Sequence, residues 1–281
     1  MSDAPDATTP PSTDPAPTTA PPLGTPAALF DHVKSIGLVG ERKALSLMVL
    51  GFFSTFLFLI AMAVKNEAPE WFPAFFALLL MYAVTFFGLA ADWFWGRWVA
   101  TGLAYWGMTV TVMAFVTTRE LPPPLLIFGL GHLLVFLCVQ GPKMAAQYEA
   151  RPEWRQRWGL DEDGVRRLRA SVTRAASSLP ALILFALAPR DGAGMALALL
   201  AVSGFGLLLR GRTLGVLVLG WAGLVSVAAG AISLGLGAAF SSAWVPYGVP
   251  LVPMGMLGGM MLLLSTVPFV RPAARYLRAL R

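Results

Sequence analysis

Eight stretches of this chain are apolar over roughly the length a helix needs to cross a lipid bilayer. They run Ala44–Val64, Trp71–Ala91, Arg97–Thr117, Pro123–Gln140, Ala170–Ala188, Ala193–Leu209, Thr213–Ala238 and Val249–Val270. About 20 helical residues cross a hydrocarbon core of roughly 30 Å. No water is present there, so each backbone N–H and C=O must find a partner within its own segment, which selects helices. The ten-residue alternation of an outer-membrane barrel is absent. The expected fold is therefore all-α, a polytopic transmembrane bundle of eight spans. Composition agrees, with 57% hydrophobic residues and only 13% charged, against about 25% charged in soluble domains. The sixth stretch is short, and the seventh is long enough to tilt.

Gly141 to Arg174 is the long polar interval between the first four stretches and the last four. It holds Lys143, Arg151, Arg155, Arg157, Arg166, Arg167, Arg169 and Arg174, with five acids interspersed. Placing both chain ends in the cytoplasm puts 18 of the 21 lysines and arginines on the inner side. Lys65, Arg119 and Arg190 remain outside. Such a split is a positive-inside signal, and an odd number of spans would spoil it. The net charge of +6 is thus assigned to topology, and nucleic acid is not an expected partner. Compact loops and Ala/Arg/Gly-rich usage point to a bacterial inner (cytoplasmic) membrane.

Outside the spans the organisation is simple. Residues 1–24 are rich in Pro, Thr, Ala and Asp, lack the basic start and apolar core of a secretory signal, and are expected to be a disordered tail. In 25–43, Thr25-Pro26 looks like a helix start, and Leu29, Phe30, Val33 and Ile36 recur at helical spacing, as in an amphipathic interfacial helix. The membrane halves 44–140 and 170–270 differ: 20 aromatic residues lie between Ala44 and Gln140, against 7 between Ala170 and Val270. The second half is rich in Gly and Ala instead. Its small-x-x-x-small pairs Gly211–Gly215, Ala231–Gly235 and Gly255–Gly259 favour close helix packing within the chain. Pro180 falls inside the fifth span, and Pro246, Pro250 and Pro253 crowd the entry to the eighth. Residues 271–281 form a basic tail.

Three places have the residue types for function. Asp92-Trp93-Phe94-Trp95-Gly96-Arg97-Trp98 joins the second and third spans. Its three tryptophans fit an interfacial belt, and Asp92 and Arg97 are placed to pair across the turn as a clasp. The functional alternative makes Asp92 an acid or base, or Arg97 a clamp for lipid phosphate. In the fourth span Gly129, His132, Phe136 and Gln140 share one helix face. His132 lies roughly 12 Å from Gln140 by helical rise. An intramembrane histidine suits either proton relay or a structural hydrogen bond. In the polar interval, Trp154, Arg155, Arg157 and Trp158 precede Asp161-Glu162-Asp163, which open a helix expected to end at the basic Arg166, Arg167 and Arg169. This loop serves as a topology-fixing linker, a lipid-headgroup contact or a docking surface for a partner.

Several chemistries lack their motifs. There is no P-loop and no H-E-x-x-H zinc-protease helix. With only His32 and His132, iron-dependent desaturation is excluded. Cys138 is the single cysteine, which rules out an internal disulfide and a cysteine zinc site. No metal and no cofactor are expected. The sequence favours a non-enzymatic membrane protein that acts by assembling with a protein partner or a second copy in the bilayer. A transporter or flippase for a lipid or small apolar solute is the alternative. A lipid-modifying enzyme, with Asp92, Arg97 and Gln140 at one depth near the inner surface, is the third.

Overall fold

The computed structural model describes residues 26–150, 154–156, 159, 161–188, 193–235 and 251–279, and the side chains of all of these but 26–36, 193, 213 and 271–279. Arg151, Arg157, Trp158, Pro246, Pro250 and the tail 1–24 lie outside the described residues. Among the described residues there is no strand. Among the same residues α-helices follow one another in this order: α1 Pro26–Glu67, α2 Phe72–Ala90, α3 Gly96–Thr118, α4 Pro123–Val139, α5 Pro142–Glu149, α6 Glu162–Leu187, α7 Ala193–Leu209, α8 Thr213–Gly235 and α9 Leu251–Ala279. A single 3-10 turn, Pro69–Trp71, leads into α2.

Six of these helices are long and apolar enough to cross a membrane: Gly37–Glu67 of α1, Pro69–Ala90, α3, α6, Leu214–Gly235 of α8 and Leu251–Val270 of α9. α4 and α5 together pass the same test as one pair bent by 75°, and α7 is a shorter apolar helix. These are the helices of an integral membrane protein. Within the described residues each of the eight apolar stretches overlaps one of these helices.

The chain divides into two compact units, Met1–Leu38 and Val39–Arg281. In the first, the described part is the opening of α1, whose helical dihedrals break at Gly37 (φ 63°, ψ 174°). That left-handed φ is open to glycine and strained for other residues. Gly40, one turn on, is helical.

The second unit is built around α6, of which 67% of the apolar window is buried, against 22% for α1. Small residues explain this. Ser171, Ala175, Ala176, Ser178 and Ala181 are all buried along α6. A methyl group added at Gly102 of α3 would meet Thr173 O at 2.5 Å and Ala176 Cβ at 2.6 Å. On another side, a methyl at Gly255 of α9 would run into the Phe185 ring at 2.1 Å. Backbones approach closely where neither partner has bulk, which is how helices associate in lipid without a hydrophobic driving force. Ser171 Oγ donates to Ser265 O, and Arg174 Nη1 donates to Leu264 O at 3.1 Å, fastening α6 to α9.

The three small-x-x-x-small pairs fare differently. Gly259 meets Gly223 O of α8, and Gly215 packs against the backbone of α7. Gly211, by contrast, lies in the α7–α8 turn with φ 68°. Ala231 is exposed, and nothing lies within 4 Å of a methyl at Gly235, so that pair packs against no other described helix. The helix runs through Pro180 as one element, and Pro253 sits in the first turn of α9, where a missing N–H costs nothing.

Two boundaries depart from expectation. Arg166, Arg167 and Arg169 do not close a separate helix, because α6 is continuous from Glu162 to Leu187. Between Val165 and Pro180 there is no glycine or proline to stop propagation, and each added residue gains a hydrogen bond once a helix is nucleated. Likewise α9 continues past Val270 into the basic tail.

Candidate functional site

One end of the bundle collects the starts of α3 and α6, the end of α4 and all of α5. Here Gly141 reverses the chain with φ 106°, a value suited to glycine, and Pro142 opens α5 at its first position. In α5, Met144 and Tyr148 share one helix face at i and i+4, and the adjacent Glu149 is buried with them. Tyr148 Oη donates to Leu89 O at 2.9 Å, which ties α5 to the end of α2.

Glu149 is the centre of this end. It is 7% exposed, as is Arg97. Its Oε1 accepts from Arg97 Nη1 at 2.5 Å and from Trp98 Nε1 at 2.7 Å. Its Oε2 accepts from Arg169 Nη1 at 3.1 Å. Three elements, α3, α5 and α6, are thereby joined through one carboxylate. A buried charge is tolerable only when paired and hydrogen-bonded, and this one meets that condition at both oxygens. The expected pairing of Arg97 with Asp92 does not occur. Asp92 Oδ1 instead takes Lys43 Nζ at 2.7 Å and Gln147 Nε2 at 3.0 Å. The turn itself explains the difference: Asp92 adopts φ 54°, and Gly96 packs directly on the Gly88 backbone.

The end of α4 is closed by two guanidinium groups. Arg42 of α1 donates to Leu137 O and Gln140 O at 2.5 Å each, and Arg97 Nε donates to Val139 O at 2.8 Å. The last carbonyls of a helix lack intrahelical partners and carry its negative partial charge, so cations there serve both needs.

The tryptophans separate. Trp93 is exposed and its ring centroid is 5.0 Å from that of Trp95. Trp98 is buried inside the bundle rather than in an interfacial belt. Trp154, from the polar interval, stacks on Phe94 at 4.4 Å and meets Trp98 edge-on at 6.0 Å. Arg155 donates to Glu149 O at 2.9 Å and pairs with Glu162 at 2.6 Å. This part of the loop is thus folded onto its own bundle.

His132 lies elsewhere, at a junction of four helices. Its Nδ1 is 2.7 Å from Phe128 O and its Nε2 is 2.7 Å from Tyr82 Oη. A carbonyl can only accept, so Nδ1 carries the proton, and Nε2 of the neutral ring accepts from the tyrosine. Phe53 of α1 stacks on the imidazole at 4.6 Å, and Phe128 lies against it at 4.3 Å. Gly107 of α3 makes the room, since a methyl there would lie 2.1 Å from the ring. The site is filled by protein, with both nitrogens engaged, as a structural core histidine would be.

A polar cleft of about 310 Å³ opens between α3, α4 and α6, lined by Arg97, Trp98, Thr101, Gln140, Arg169 and Thr173. Arg97 and Gln140 line it together, and Asp92 does not. No protein-family model, no curated protein and no solved structure matches this chain. Among the described residues, no group of three or more His, Cys, Asp or Glu is placed to hold a metal ion.

Glu149 was not singled out by sequence reasoning. Lone acids in a basic interval read as solvated counter-charges, and its partners lie 52 residues before it and 20 after it. The local signal reaches the helix but not the acid: Pro142 after Gly141 opens it, and Met144 and Tyr148 at helical spacing mark its buried face, with Glu149 beside that face rather than on it.

Proposed function

We propose that this chain is an eight-span protein of a bacterial cytoplasmic membrane, with both termini inside, that acts without catalysis by assembling with a partner protein. α4 with its bend and the shorter α7 supply the two spans beyond the six long helices. The observation that supports a docking role is the length of α6. Its 26 residues extend about 39 Å at 1.5 Å per residue, against a hydrocarbon core of roughly 30 Å. Its first two turns therefore stand clear of the hydrocarbon.

Those turns are rigidly held and charged on the outside. Asp161 caps the helix by accepting from Gly164 N at 2.6 Å. Val165 and Leu168 are buried, whereas Glu162, Asp163, Arg166 and Arg167 are exposed. A helix fixed by one face and presenting both charge signs on the other suits recognition by a complementary protein surface, where charge gives specificity and encounter rate.

The experiment is a photo-crosslinker placed at Arg167 in cells, compared with one at the exposed Leu217 of α8. The expected outcome is one stoichiometric protein adduct at Arg167, abolished by reversing Asp163 and Arg166 together. Adducts that are the same at both positions, or unaffected by the reversal, reject partner docking at α6.

A further inference from the structure

The cleft beside Glu149 is lined by two guanidinium groups, but the carboxylate that neutralises one of them is not part of its wall. Arg97 spends Nε on Val139 O and Nη1 on Glu149, and among the described residues its Nη2 meets no acceptor. Arg169 uses Nη1 on Glu149, and its Nε and Nη2 are likewise without an acceptor. The Gln140 side-chain amide, a further donor, has no hydrogen-bond partner among them either; its backbone carbonyl alone is taken, by Arg42. Thr101 and Thr173 donate inward to Arg97 O and Trp98 O, which leaves their hydroxyl oxygens turned to other uses.

Unused donors with a net positive charge thus converge from three helices on one small space. A planar carboxylate is satisfied by a single guanidinium fork. A tetrahedral oxyanion offers three or four oxygens in different directions and matches donors arriving from α3, α4 and α6. The volume leaves room for a phosphate and the first atoms attached to it.

We propose that this cleft binds a phosphate-bearing group, held between Arg97 and Arg169 with Gln140 as a third donor. Two sources share that chemistry: the phosphodiester of an anionic lipid headgroup, and a water-soluble phosphomonoester. The site does not rest on partner docking at α6: of the α6 charges only Arg169 lines it, and Glu162, Asp163, Arg166 and Arg167 are not part of its wall.

The test uses the full chain in nanodiscs of phosphatidylcholine, with short-chain phosphatidylglycerol and glycerol 3-phosphate as probes. Retained molecules are counted by native mass spectrometry and affinity is read from titration. One bound phosphate compound per chain is expected. Arg169→Gln and Gln140→Leu should each weaken it about tenfold, the scale of one charge-assisted hydrogen bond. Arg166→Gln removes the same charge from an exposed site on the same helix and should leave affinity unchanged. Retention of phosphatidylglycerol alone identifies a headgroup site, and retention of glycerol 3-phosphate alone a soluble ligand. Equal losses in Arg166→Gln and Arg169→Gln, undiminished binding in both cleft variants, or no binding of either probe would each overturn the proposal. Arg97 is left intact because its removal strands Glu149.

Discussion

Glu149 Oε1 lies 2.5 Å from Arg97 Nη1, with both side chains withdrawn from solvent, although the two residues are 52 positions apart. The pair joins the return helix α5 to the start of α3, and Arg169 completes it from α6. Removing one member of a buried pair leaves the other charge without compensation, which costs about 3–5 kcal/mol. Glu149→Ala should therefore lower stability by about that amount, read as a fall in the midpoint of reversible unfolding in mixed detergent. Combining it with Arg97→Met should recover part of the loss. A double variant no more stable than the sum of the singles would show that the two side chains do not act as a pair.

Gly107 and His132 are coupled by shape. Gly107→Ala places a methyl 2.1 Å from the imidazole, and overpacking of this kind costs about 1–3 kcal/mol. His132→Ala on that background should restore some of the stability lost, because it vacates the space. Thermal unfolding of the three variants checks this, and independent, additive losses would contradict it.

Asp92 offers a contrast between charge and backbone. Its pair with Lys43 is partly open to solvent, at 17% and 23% exposure, and such pairs contribute about 1 kcal/mol or less. Asp92→Asn keeps an oxygen for Lys43 and Gln147 and tolerates the left-handed φ of 54°. It should cost little. Asp92→Val meets the same φ with a branched side chain and should cost at least about 1–2 kcal/mol. Equal effects of the two changes would show that the backbone conformation does not matter there. Lipid chemistry centred on Asp92 predicts instead that Asp92→Asn abolishes activity in folded protein.

Topology can be tested because Cys138 is the single cysteine and is buried. On a Cys138→Ala background, Lys65→Cys and Glu120→Cys should react with an impermeant maleimide added to intact cells. Arg166→Cys and Arg210→Cys should react only after lysis. Labelling of Arg210→Cys from outside would remove the eight-span arrangement, since the short α7 is the span it depends on.

The helices were legible in the sequence because crossing hydrocarbon imposes a length and an apolarity that a single stretch must meet alone. Their ends were less so. The basic run Arg166–Arg169 looked like a stop, yet nothing between Val165 and Pro180 prevents the helix from continuing. Contacts at the basic end were hidden for a different reason. Asp92 and Arg97 are neighbours in sequence and read as partners, but each is claimed by a residue about fifty positions away, Lys43 and Glu149. Pairing across such distances follows from how helices pack, and local spacing contains no record of it. His132 lay between the two cases: its helix face was legible, but not the glycine opposite that admits its ring.

The closure of α4 bears on how the chain is made. Both arginines that occupy its final carbonyls, Arg42 and Arg97, precede it in the sequence. A chain synthesised from its N-terminus already contains both arginines when α4 emerges from the ribosome. The turn at Gly141 can therefore set as soon as it is inserted, before any of the second half exists. Glu149 then waits with one oxygen satisfied from behind and the other held for Arg169. Helices α1 to α5 become a template whose last open valence selects the register of α6.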